Sequence, residues 1–557
     1  MTAEDTVLQA ARAWLHADPD PDTRRHLGQQ LRQATSADDV LAADALAQLR
    51  DAFAGPLEFG TAGLRGRIGP GPGRMNRLVV GQAAAGIGAW LSAHGHGGGT
   101  VLVGHDARWK SREFAVETAE LLAGAGFRAV LTARATPTPV VAFGVRHLGC
   151  VAGIVVTASH NPPQDNGYKV YLGDGSQIVP PQDAEISAEI RRIDIAALAS
   201  LPRSTHYETI DEALVDAYVG RAAGLVPPSA PRAVRWVHTA MHGVGSRTMR
   251  AVAAAAGFPA AAEVAEQSEP DSDFPTVAFP NPEEPGAIDL ALALAEETDA
   301  DVVIAHDPDA DRCAVATRID DRWRMLTGDE LGALLGDDAL RRGVPGVFAN
   351  SVVSSTLLAS MARAHGRDHV TTLTGFKWIG RVPDLAFGYE EAIGYCCDPQ
   401  AVPDKDGITA GVRVLALVAE LASRGENLQT RLDEIAARYG LHTTSQLSVR
   451  VADLQEIRDA MARLRADPPQ TLLGRPVEVR DLSDGWGPLP PTDAVELVGD
   501  GIHVVARPSG TEPKLKCYLE VVRPPQESTH ARTARAEAAV QVEDLRAEMA
   551  AALGVHA

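Results

Sequence analysis

The sequence predicts an α/β protein made of three similar mixed-sheet α/β domains and a C-terminal α+β domain. Short apolar runs alternate with segments of helical spacing over most of the chain, as in strands joined by crossover helices. At 557 residues the chain is too long for a single hydrophobic core, so several domains are expected. The last part differs, because strand-like runs precede one helical tail rich in Ala, Glu and Arg.

The first two divisions are a helical extension and a strand–helix domain. Residues 1–50 are rich in Ala, Leu and Gln and predict helices, and the first domain is expected over 51–215. Its predicted elements are a strand at 101–103, a helix at 111–125 capped by Ser111, and strands at 128–132 and 151–156.

The remaining divisions are a second and a third α/β domain and the α+β domain. A Pro-rich linker at 225–231 favours a boundary near residue 216, and the expected spans are 216–327, 328–440 and 441–557. The predicted elements are strands at 234–238, 301–305, 347–349, 447–451 and 495–505, helices at 244–256 and 407–423, and a helix after Pro525. Gly499-Asp500-Gly501 predicts a hairpin turn.

Composition excludes several classes of function. The net charge of −21 argues against a nucleic-acid groove, which needs concentrated Lys and Arg, and aromatic content of 5% offers few stacking platforms. The five cysteines form no CxxC pair, which fits a reducing compartment. No apolar run reaches the ~20 residues that span a bilayer, and the N-terminus lacks the pattern of a signal peptide. We therefore expect a cytoplasmic protein without nucleic-acid or membrane partners.

The segment TASHNP places Ser159 directly after the predicted strand at 151–156. Open α/β sheets bind ligands at the carboxyl ends of their strands. A serine nucleophile needs activation, and the GxSxG elbow of acyl-transfer enzymes is absent here. A phosphorylated serine needs nearby positive charge, which His160, Lys169 and a bound cation would supply. The alternative is a capping serine in a turn.

The segment DPDADR places Asp307, Asp309 and Asp311 after the predicted strand at 301–305. In an extended loop a period of two puts the three carboxylates on one side. Such oxygen ligands suit Mg²⁺, which also takes substrate phosphate as a ligand. An acidic surface turn is the alternative, and the preceding buried strand argues against it. Arg312 would contact a phosphate or brace the carboxylates.

Two further clusters predict binding of a sugar and a phosphate. In GYEEAIGY, Glu390 or Glu391 would accept hydrogen bonds from vicinal sugar hydroxyls, although acidic pairs also occur at helix starts. The segment RPSGTEPK follows a predicted strand and concentrates donors around a glycine, as phosphate-binding nests do. Its candidate phosphate ligands are Arg507, Ser509, Gly510, Thr511 and Lys514.

Arg65 and Lys377 are weaker candidates. Arg65 lies in the Gly-rich segment GTAGLRGR and would contact phosphate or belong to a flexible turn. Lys377, in TGFKWIG, would reach a ligand or extend along the surface beside Trp378.

Together the four clusters resemble the α-D-phosphohexomutase superfamily, which includes phosphoglucomutases and phosphomannomutases. The likeness covers nearly the whole chain after about residue 50, and the motifs occur in the order of the family. It implies four domains around one central cleft, each contributing a loop. It implies that Ser159 carries the phosphoryl group, that the three aspartates and phosphorylated Ser159 bind Mg²⁺, and that Glu390 reads the sugar.

The resemblance also assigns the remaining loop and the reaction. The RPSGTEPK loop would hold the phosphate that is not transferred, and His160, Lys169 and Arg65 match active-site positions. The implied enzyme is an intramolecular phosphotransferase of the isomerase class that acts on small sugar phosphates. A sugar 1,6-bisphosphate, such as glucose 1,6-bisphosphate, would be its intermediate and activator.

One departure concerns the choice of sugar. Many glucose-type enzymes of the superfamily have Ser two residues after the first Glu of the sugar loop, whereas this chain has Ala392. The segments at 59–66, 375–380 and 388–394 resemble the subgroup with phosphopentomutase-type members and some bacterial phosphoglucomutases. Phosphoglucomutase is therefore the first expectation, with phosphopentomutase and phosphomannomutase as alternatives.

Two other classes of protein share some of these features. A Mg²⁺-dependent sugar phosphatase would also combine aspartates with a phosphate site, but it would use water and usually an Asp nucleophile. A non-catalytic sugar-phosphate sensor would bind without turnover. For the mutase we expect the last domain, which holds Arg507, to move as a hinge so that the substrate enters and reorients.

Overall fold

The computed structural model describes residues 3–451, 453–509, 514–525 and 531–555. These residues form two compact units. The first unit contains Met1–Ser229, Arg235–Ala314 and Gln400–Val412, and the second contains Ala230–Val234, Val315–Pro399 and Arg413–Ala557.

Helices cover the N-terminal extension and the flanks of the sheets. In the first unit they are α1 (Ala3–Ala17), α2 (Pro21–Ala34), α3 (Asp39–Ala52), α4 (Arg77–Ala93), α5 (Ser111–Gly124), α6 (Thr138–His147), α7 (Gln182–Arg192), α8 (Glu212–Ala223), α9 (Gly245–Ala255), α10 (Asp289–Glu297) and the start of α14 (Gly407–Ala422). In the second they are α11 (Gly328–Arg341), α12 (Leu357–Ala364), α13 (Phe376–Ile379), α15 (Leu428–Tyr439), α16 (Leu454–Ala466) and α17 (Ala531–Leu553). The boundary between the units falls within α14.

The strands form four sheets. The first contains β1 (Leu64–Arg67), β2 (Thr100–His105), β3 (Arg128–Thr132), β4 (Ala152–Val156), β5 (Asp165–Leu172) and β6 (Glu208–Ile210). The second contains β7 (Trp236–Thr239), β8 (Ala262–Glu263), β9 (Val302–His306), β10 (Cys313–Ile319) and β11 (Arg322–Met325), and the third contains β12 (Val347–Ser351), β13 (His369–Thr372), β14 (Leu385–Glu390) and β15 (Gly394–Cys396). The fourth contains β16 (Leu441–Arg450), β17 (Thr471–Leu472), β18 (Arg475–Asp481), β19 (Val495–Gly499), β20 (Ile502–Pro508) and β21 (Lys514–Arg523).

The first sheet has the order β1-β5-β4-β2-β3-β6 and is mixed, as predicted. β4, β2, β3 and β6 are parallel because helices cross between them. β4 is fully buried and β2 and β3 nearly so, whereas the edge strand β6 is mostly exposed. β5 runs antiparallel to β4 because the connection at 157–164 is too short for a crossover helix. That short connection carries Ser159, so the topology leaves the serine at the carboxyl end of a buried strand.

The N-terminal extension is helical, as predicted, and belongs to the core of the first sheet. Trp14, Leu27 and Leu49 are buried in the same apolar cluster as Leu78 of α4 and Val101 of β2. The extension therefore packs as part of the first domain.

One local prediction was wrong. Ser111 was expected to cap α5, but the residue before the helix is Lys110, which has a left-handed φ of 65° and makes no side-chain cap. The Ser111 hydroxyl instead donates to Asp106 Oδ1 at 2.5 Å. The buried Asp106 carboxylate needs donors, and this need takes the hydroxyl away from the helix end.

The second and third sheets are also mixed. The second has the order β11-β10-β9-β7-β8, and β9, parallel to β7, ends at His306 directly before the aspartate segment. In the third, β12 is parallel to β13 and β14, whereas the short β14–β15 connection makes that pair antiparallel and forms the sugar loop.

The fourth sheet is antiparallel in all of the strand pairs described, which confirms the α+β class of the C-terminal part. α16 and α17 cover one face around a core that includes Leu447, Leu497 and Leu545. The predicted hairpin turn is confirmed, since Gly499 pairs with Ile502 and Gly501 has a positive φ of 68°.

Candidate functional site

Ser159 lies in the β4–β5 connection with its side chain almost fully buried. It is 2% exposed and has a left-handed φ of 53°, an unusual conformation for a residue with a Cβ. Its hydroxyl donates a hydrogen bond to Asp307 Oδ2 at 2.8 Å. The contact joins two of the sequence-predicted clusters, 148 residues apart in the chain. Strained backbone at a buried polar residue is a pattern typical of functional sites.

Arg108, which the sequence reasoning missed, fixes the serine loop. Its guanidinium donates to the carbonyl oxygens of Ser159 and Asn161 at 2.6 Å each and of Pro162 at 2.8 Å. Three carbonyls gathered on one buried cation hold the loop in a single conformation. The position of Arg108 just after β2, at the same sheet edge as Ser159, was the signal available in the sequence.

Asp307, Asp309 and Asp311 converge as the period of two predicted. All three are fully buried, and one oxygen from each lies within 4.8 Å of the others. Full burial excludes an acidic surface turn. The loop is short because β9 ends at His306 and β10 begins at Cys313, so the carboxylates stay at the end of the sheet.

The three carboxylates fit a divalent cation. Oδ1 of Asp309 and Oδ1 of Asp311 are buried and accept no hydrogen bond from the described residues. A buried carboxylate oxygen without a donor is costly, and a bound cation removes that cost. Carboxylate oxygens with room for further ligands are the donors that Mg²⁺ prefers.

Two lysines offset part of the negative charge. Lys169 Nζ lies 2.6 Å from Oδ2 of both Asp309 and Asp311, and Lys405 Nζ lies 3.5 Å from Asp311 Oδ2. Burial alone would lower the pKa of Lys169, but the two carboxylates outweigh burial and raise it. Burial would raise the pKa of Asp311, but Lys169, Lys405 and Arg312 together lower it. The aspartate cluster therefore combines negative carboxylates with positive lysine side chains.

Asp307, which accepts from the serine, has a different environment. Burial and the carboxylates of Asp309 and Asp311 raise the pKa of Asp307 well above its ordinary value. The backbone N–H of Arg312 donates to Asp307 Oδ1 at 3.0 Å. Asp307 therefore has one oxygen on the serine hydroxyl and the other on the loop backbone.

Three basic side chains gather beside the serine. Arg65 on β1 donates to Asn161 Oδ1 at 3.3 Å, one residue beyond His160. Burial, and next the nearby charge of Arg312, lower the pKa of both Arg65 and His160. His160 Nδ1 is buried and has no hydrogen-bond partner among the described residues. The guanidiniums of Arg65 and Arg312 repel each other, and a phosphate bound beside them would be stabilised by both charges.

The segment around Lys405, which the sequence reasoning also missed, is bound tightly to the first unit. Tyr171 donates to Asp404 Oδ2 at 2.8 Å and Tyr218 to Asp406 Oδ1 at 2.7 Å. His306 Nε2 lies 2.9 Å from the Gly407 carbonyl oxygen. These contacts fix the segment that brings Lys405 to the aspartates. Because it lies about a hundred residues after Asp311, spacing could not have revealed it.

Thr138 is a further missed contributor. Its hydroxyl donates to Asp309 Oδ2 at 2.6 Å, and its backbone N–H donates to the Asp309 carbonyl oxygen at 2.9 Å. The start of α6 therefore holds the middle aspartate from two sides.

The sugar loop belongs to the second unit. Glu390 ends β14 and is buried, and the next residue, Glu391, accepts from Ser351 Oγ and Ser354 Oγ at 3.1 Å each. A Cβ on Gly328 would lie 1.8 Å from the Glu391 carbonyl oxygen, so the start of α11 packs directly under the loop. Glu391 is thus held by two serines, one at the end of β12 and one just after it.

The remaining candidates are also in the second unit. Ser509 N donates to the Lys514 carbonyl oxygen at 2.8 Å, which closes the base of the β20–β21 connection. Arg507 pairs in register with Lys516, and Lys377 lies half-buried in α13. Gly510 and Thr511 lie outside the described residues.

The structure thus groups the predicted residues in two sets. In the first unit it brings together Ser159, His160, Lys169, Arg65, Asp307, Asp309, Asp311 and Arg312. In the second it contains Lys377, Glu390, Glu391, Arg507, Ser509 and Lys514.

Among the described residues, no helix combines the length and the apolar character that crossing a membrane requires.

Comparison with known proteins places the whole architecture in one family. The family models "Phosphoglucomutase/phosphomannomutase, alpha/beta/alpha domain" I, II and III match residues 56–196, 216–319 and 327–439, and the C-terminal domain model of the same family matches 447–539.

Individual relatives carry several enzyme names. A protein of Haemophilus influenzae named "Probable phosphomannomutase" is 44% identical over 453 residues, which cover 80% of this chain and 93% of that protein. Human phosphopentomutase is 35% identical and the match covers 86% of this chain and 87% of that protein. A crystal structure of a phosphoglucomutase/phosphomannomutase family protein from Burkholderia thailandensis shares the fold, with a TM-score of 0.68, 23% identity and coverage of 89% and 97%.

Proposed function

Because the chain belongs to the phosphoglucomutase/phosphomannomutase family, we propose that it interconverts glucose 1-phosphate and glucose 6-phosphate through a phosphoserine at Ser159. The chain is a phosphomutase, an isomerase that transfers phosphate within a sugar. The observation that carries the proposal is the hydrogen bond from the Ser159 hydroxyl to Asp307 inside a buried carboxylate cluster. Such a serine is placed to exchange a phosphoryl group next to a metal site.

The metal site is the second part of the proposal. Asp307, Asp309, Asp311 and an oxygen of phosphorylated Ser159 would hold Mg²⁺. When bound, the cation would offset the negative charge on the phosphoryl oxygens, and positioning and electrostatics dominate such transfers. The donor-free Oδ1 atoms of Asp309 and Asp311 support this assignment.

The reaction balances as two phosphoryl transfers. Phosphorylated Ser159 gives its phosphoryl group to the free hydroxyl of a sugar monophosphate, and the hydroxyl proton passes to a base, for which Lys169 and His160 are the candidates. His160 is favoured, because burial lowers its pKa, whereas Asp309 and Asp311 outweigh burial, raise the pKa of Lys169 and keep it protonated. The product is a sugar 1,6-bisphosphate and a free serine. After the bisphosphate reorients, its other phosphoryl group returns to Ser159, which leaves the isomeric monophosphate. Added glucose 1,6-bisphosphate would act as activator by phosphorylating any free serine.

The second unit would supply substrate recognition. Glu390, with Glu391 beside it, would accept hydrogen bonds from sugar hydroxyls. Arg507, Ser509 and Lys514 would hold the phosphate that is not transferred, together with Gly510 and Thr511. Lys377 and Arg312 are proposed as further phosphate contacts.

A phosphopentomutase is the second candidate, and a specific feature favours it. Ala392 removes a hydroxyl from the sugar loop of the glucose-type enzymes, and named phosphopentomutases are among the relatives at about a third identity. The name of the Haemophilus influenzae relative keeps phosphomannomutase as a third candidate.

A ³¹P NMR time course tests the choice of sugar. The purified protein receives Mg²⁺, catalytic glucose 1,6-bisphosphate, and equal amounts of glucose 1-phosphate, ribose 1-phosphate and mannose 1-phosphate. Fastest formation of glucose 6-phosphate supports the proposal. Fastest formation of ribose 5-phosphate or mannose 6-phosphate replaces it with the corresponding mutase. Free inorganic phosphate as the main product would indicate a phosphatase, and binding without any product would indicate a sensor.

A further inference from the structure

A row of ionisable side chains crosses one face of the C-terminal sheet. Arg480, Glu496, His503, Glu520 and His442 lie on the adjacent strands β18, β19, β20, β21 and β16. Basic and acidic groups alternate along the row, with 2.9 Å from His503 Nε2 to Glu496 Oε1 and 2.9 Å from His442 Nδ1 to Glu520 Oε1. A row of this kind stabilises a sheet face from strand to strand.

Glu520 also bonds to residues outside the sheet. Its carboxylate accepts from Ser355 Oγ at 2.5 Å, from Thr356 N at 3.0 Å and from Thr356 Oγ1 at 2.8 Å. These donors form the start of α12, in the part of the chain that matches the third family domain. Glu520 is 2% exposed, so the C-terminal sheet is joined to the third domain by a buried carboxylate.

A buried carboxylate is an expensive way to join two domains. Its desolvation penalty is large, and an apolar contact of the same size would hold the surfaces at least as well. Apolar contacts are in fact present, because Tyr518 packs with Val352 and Val353. The carboxylate adds a defined position and orientation of the strand. Its five partner groups are Ser355 Oγ, Thr356 N, Thr356 Oγ1 and the rings of His442 and His503.

The loop that Glu520 contacts also holds the sugar loop. Ser351 Oγ and Ser354 Oγ donate to Glu391 Oε2, and Glu391 N donates back to Ser354 Oγ at 3.3 Å. Ser355 follows immediately and donates to Glu520. One turn of chain therefore binds the carboxylate of the sugar loop on one side and the carboxylate of the C-terminal sheet on the other.

The same sheet face carries the expected phosphate ligand. His503 is paired with Glu520, and Arg507 with Lys516, so these residues lie on one face at even spacing along β20 and β21. Tyr518, which is paired with Val505, lies between them on the same face. A shift of Glu520 along the 351–356 turn would thus move Arg507 relative to Glu391.

We propose that Glu520 is a positioning residue that sets the separation between the sugar loop, at Glu390 and Glu391, and Arg507 near the end of β20. That separation sets the length of sugar phosphate that can contact both sites at once. It therefore sets the preference between hexose and pentose phosphates. The inference rests on the proposed function, because it uses Glu390 and Arg507 as the two ends of the substrate.

The test compares Glu520→Gln with Glu496→Gln. Both remove one buried carboxylate from the row, but among the described residues Glu496 bonds to His503 and Arg480, which belong to the same sheet. Glutamine at 520 places an amide N–H₂ among donors that need an acceptor. The measured quantity is kcat/KM for glucose 1-phosphate divided by kcat/KM for ribose 1-phosphate. We expect Glu520→Gln to move this ratio at least about tenfold towards unity, because a small misplacement of the substrate is costly. Glu496→Gln should leave the ratio within about twofold.

A second variant and a binding measurement guard against loss of folding. Thr356→Val removes one donor to Glu520 and should move the ratio in the same direction by a smaller factor. Calorimetric titration of the unphosphorylated protein with glucose 6-phosphate and ribose 5-phosphate should show the same change in the ratio of dissociation constants. Equal ratios in wild type and Glu520→Gln, or an equal shift in Glu496→Gln, would overturn the inference.

The two proposals fail in different ways. If wild type binds both sugar phosphates but isomerises neither, the proposed function is wrong, and the binding ratios still test the role of Glu520. If wild type is a mutase whose preference is unchanged in Glu520→Gln, only the positioning role is wrong.

Discussion

At the level of single residues, the proposed reaction depends on one buried serine and three buried aspartates. The Ser159 hydroxyl has a single described hydrogen bond as donor, to Asp307. The Arg108 guanidinium fixes the carbonyl of the same residue. The serine is therefore oriented by groups that do not need to move during phosphoryl transfer, which is the arrangement that preorganised sites share.

Ser159→Ala should remove mutase activity without unfolding the protein. The variant lacks the oxygen that accepts the phosphoryl group, so we expect turnover to fall by about a thousandfold or more. Steady-state assay with glucose 1-phosphate and circular dichroism would measure the two effects. Ser176→Ala, another buried serine of the first unit, is the matched control and should stay active. Substantial activity in Ser159→Ala would instead point to the phosphatase alternative.

Asp309→Asn should weaken Mg²⁺ binding. The substitution keeps the shape of the side chain but removes a charge from the cluster, and we expect the affinity to fall by about 10- to 100-fold or more. Titration calorimetry with Mg²⁺ would measure the affinity. Asp44→Asn, on the exposed surface of α3, is the control that should not change it. Unchanged Mg²⁺ affinity in Asp309→Asn would contradict the metal assignment.

The residues that sequence reasoning found are those whose chemistry is local. Asp307, Asp309 and Asp311 reveal themselves by spacing, and Ser159 by its place after a buried strand. Lys405, Thr138 and Arg108 were missed because each reaches the centre only through the folding of distant segments. No local pattern distinguishes such residues from ordinary surface or core positions.

At the scale of elements, prediction succeeded for some strands that are apolar on both faces, although β10, which is almost fully buried, was missed. β4 and β9 are fully buried, so both appear as continuous apolar runs in the sequence. β1 and β18 were missed because they are half-exposed and carry Arg or Glu between apolar residues. β5 was missed because Asn166, Gly167 and Lys169 interrupt its apolar pattern for reasons of function and close packing.

Gly328→Ala should disturb the sugar loop through the start of α11. The added Cβ would lie 1.8 Å from the Glu391 carbonyl oxygen, so either the helix or the loop must shift. We expect weaker binding of sugar phosphates and a lower thermal midpoint. Gly220→Ala is the control, because nothing lies within 4 Å of the added Cβ in α8, where alanine is favoured by about 0.5–1 kcal/mol. Comparable binding in the two variants would show that the packing is not needed.

Glu520 should make the fourth sheet sensitive to acid. Burial alone would raise the pKa of Glu520, but His442, His503 and Ser355 outweigh burial and lower it to about 2. A carboxylate with a depressed pKa stabilises the folded state above its ordinary value of 4.5, and this contribution is lost as the pH falls towards 2. Urea unfolding should therefore show a smaller fall in stability between pH 4.5 and 2 for Glu520→Gln than for wild type. An equal fall would contradict the assignment.

At the scale of the whole molecule, the chain separates its tasks between two compact units. The first contains the serine, the aspartates and the basic residues beside them, and the second contains Glu390, Glu391 and Arg507, which are proposed to bind the sugar and its phosphate. The fold class was predictable because alternating strands and helices permit few architectures. The membership of Gln400–Val412 in the first unit was not, because it follows from tertiary contacts alone.

Hinge motion for substrate entry stays a prediction, and the contacts between the last and third domains favour a hinge that moves both of them together. The C-terminal sheet and the third domain belong to one compact unit and share the buried contacts of Glu520 and Tyr518. We therefore expect any motion that admits substrate to keep these two domains together. Hydrogen exchange with and without glucose 1,6-bisphosphate should leave the amide of Thr356 protected in both states.

The most direct test of the central claim follows the phosphoryl group itself. Dephosphorylated protein is mixed with Mg²⁺ and ³²P-labelled glucose 1,6-bisphosphate for a single turnover, then digested and mapped. If Ser159 accepts the phosphoryl group, the label is found on the peptide that contains Ser159, and an equal amount of glucose monophosphate is released. Label on an aspartate, or release of inorganic phosphate without labelled serine, would contradict it.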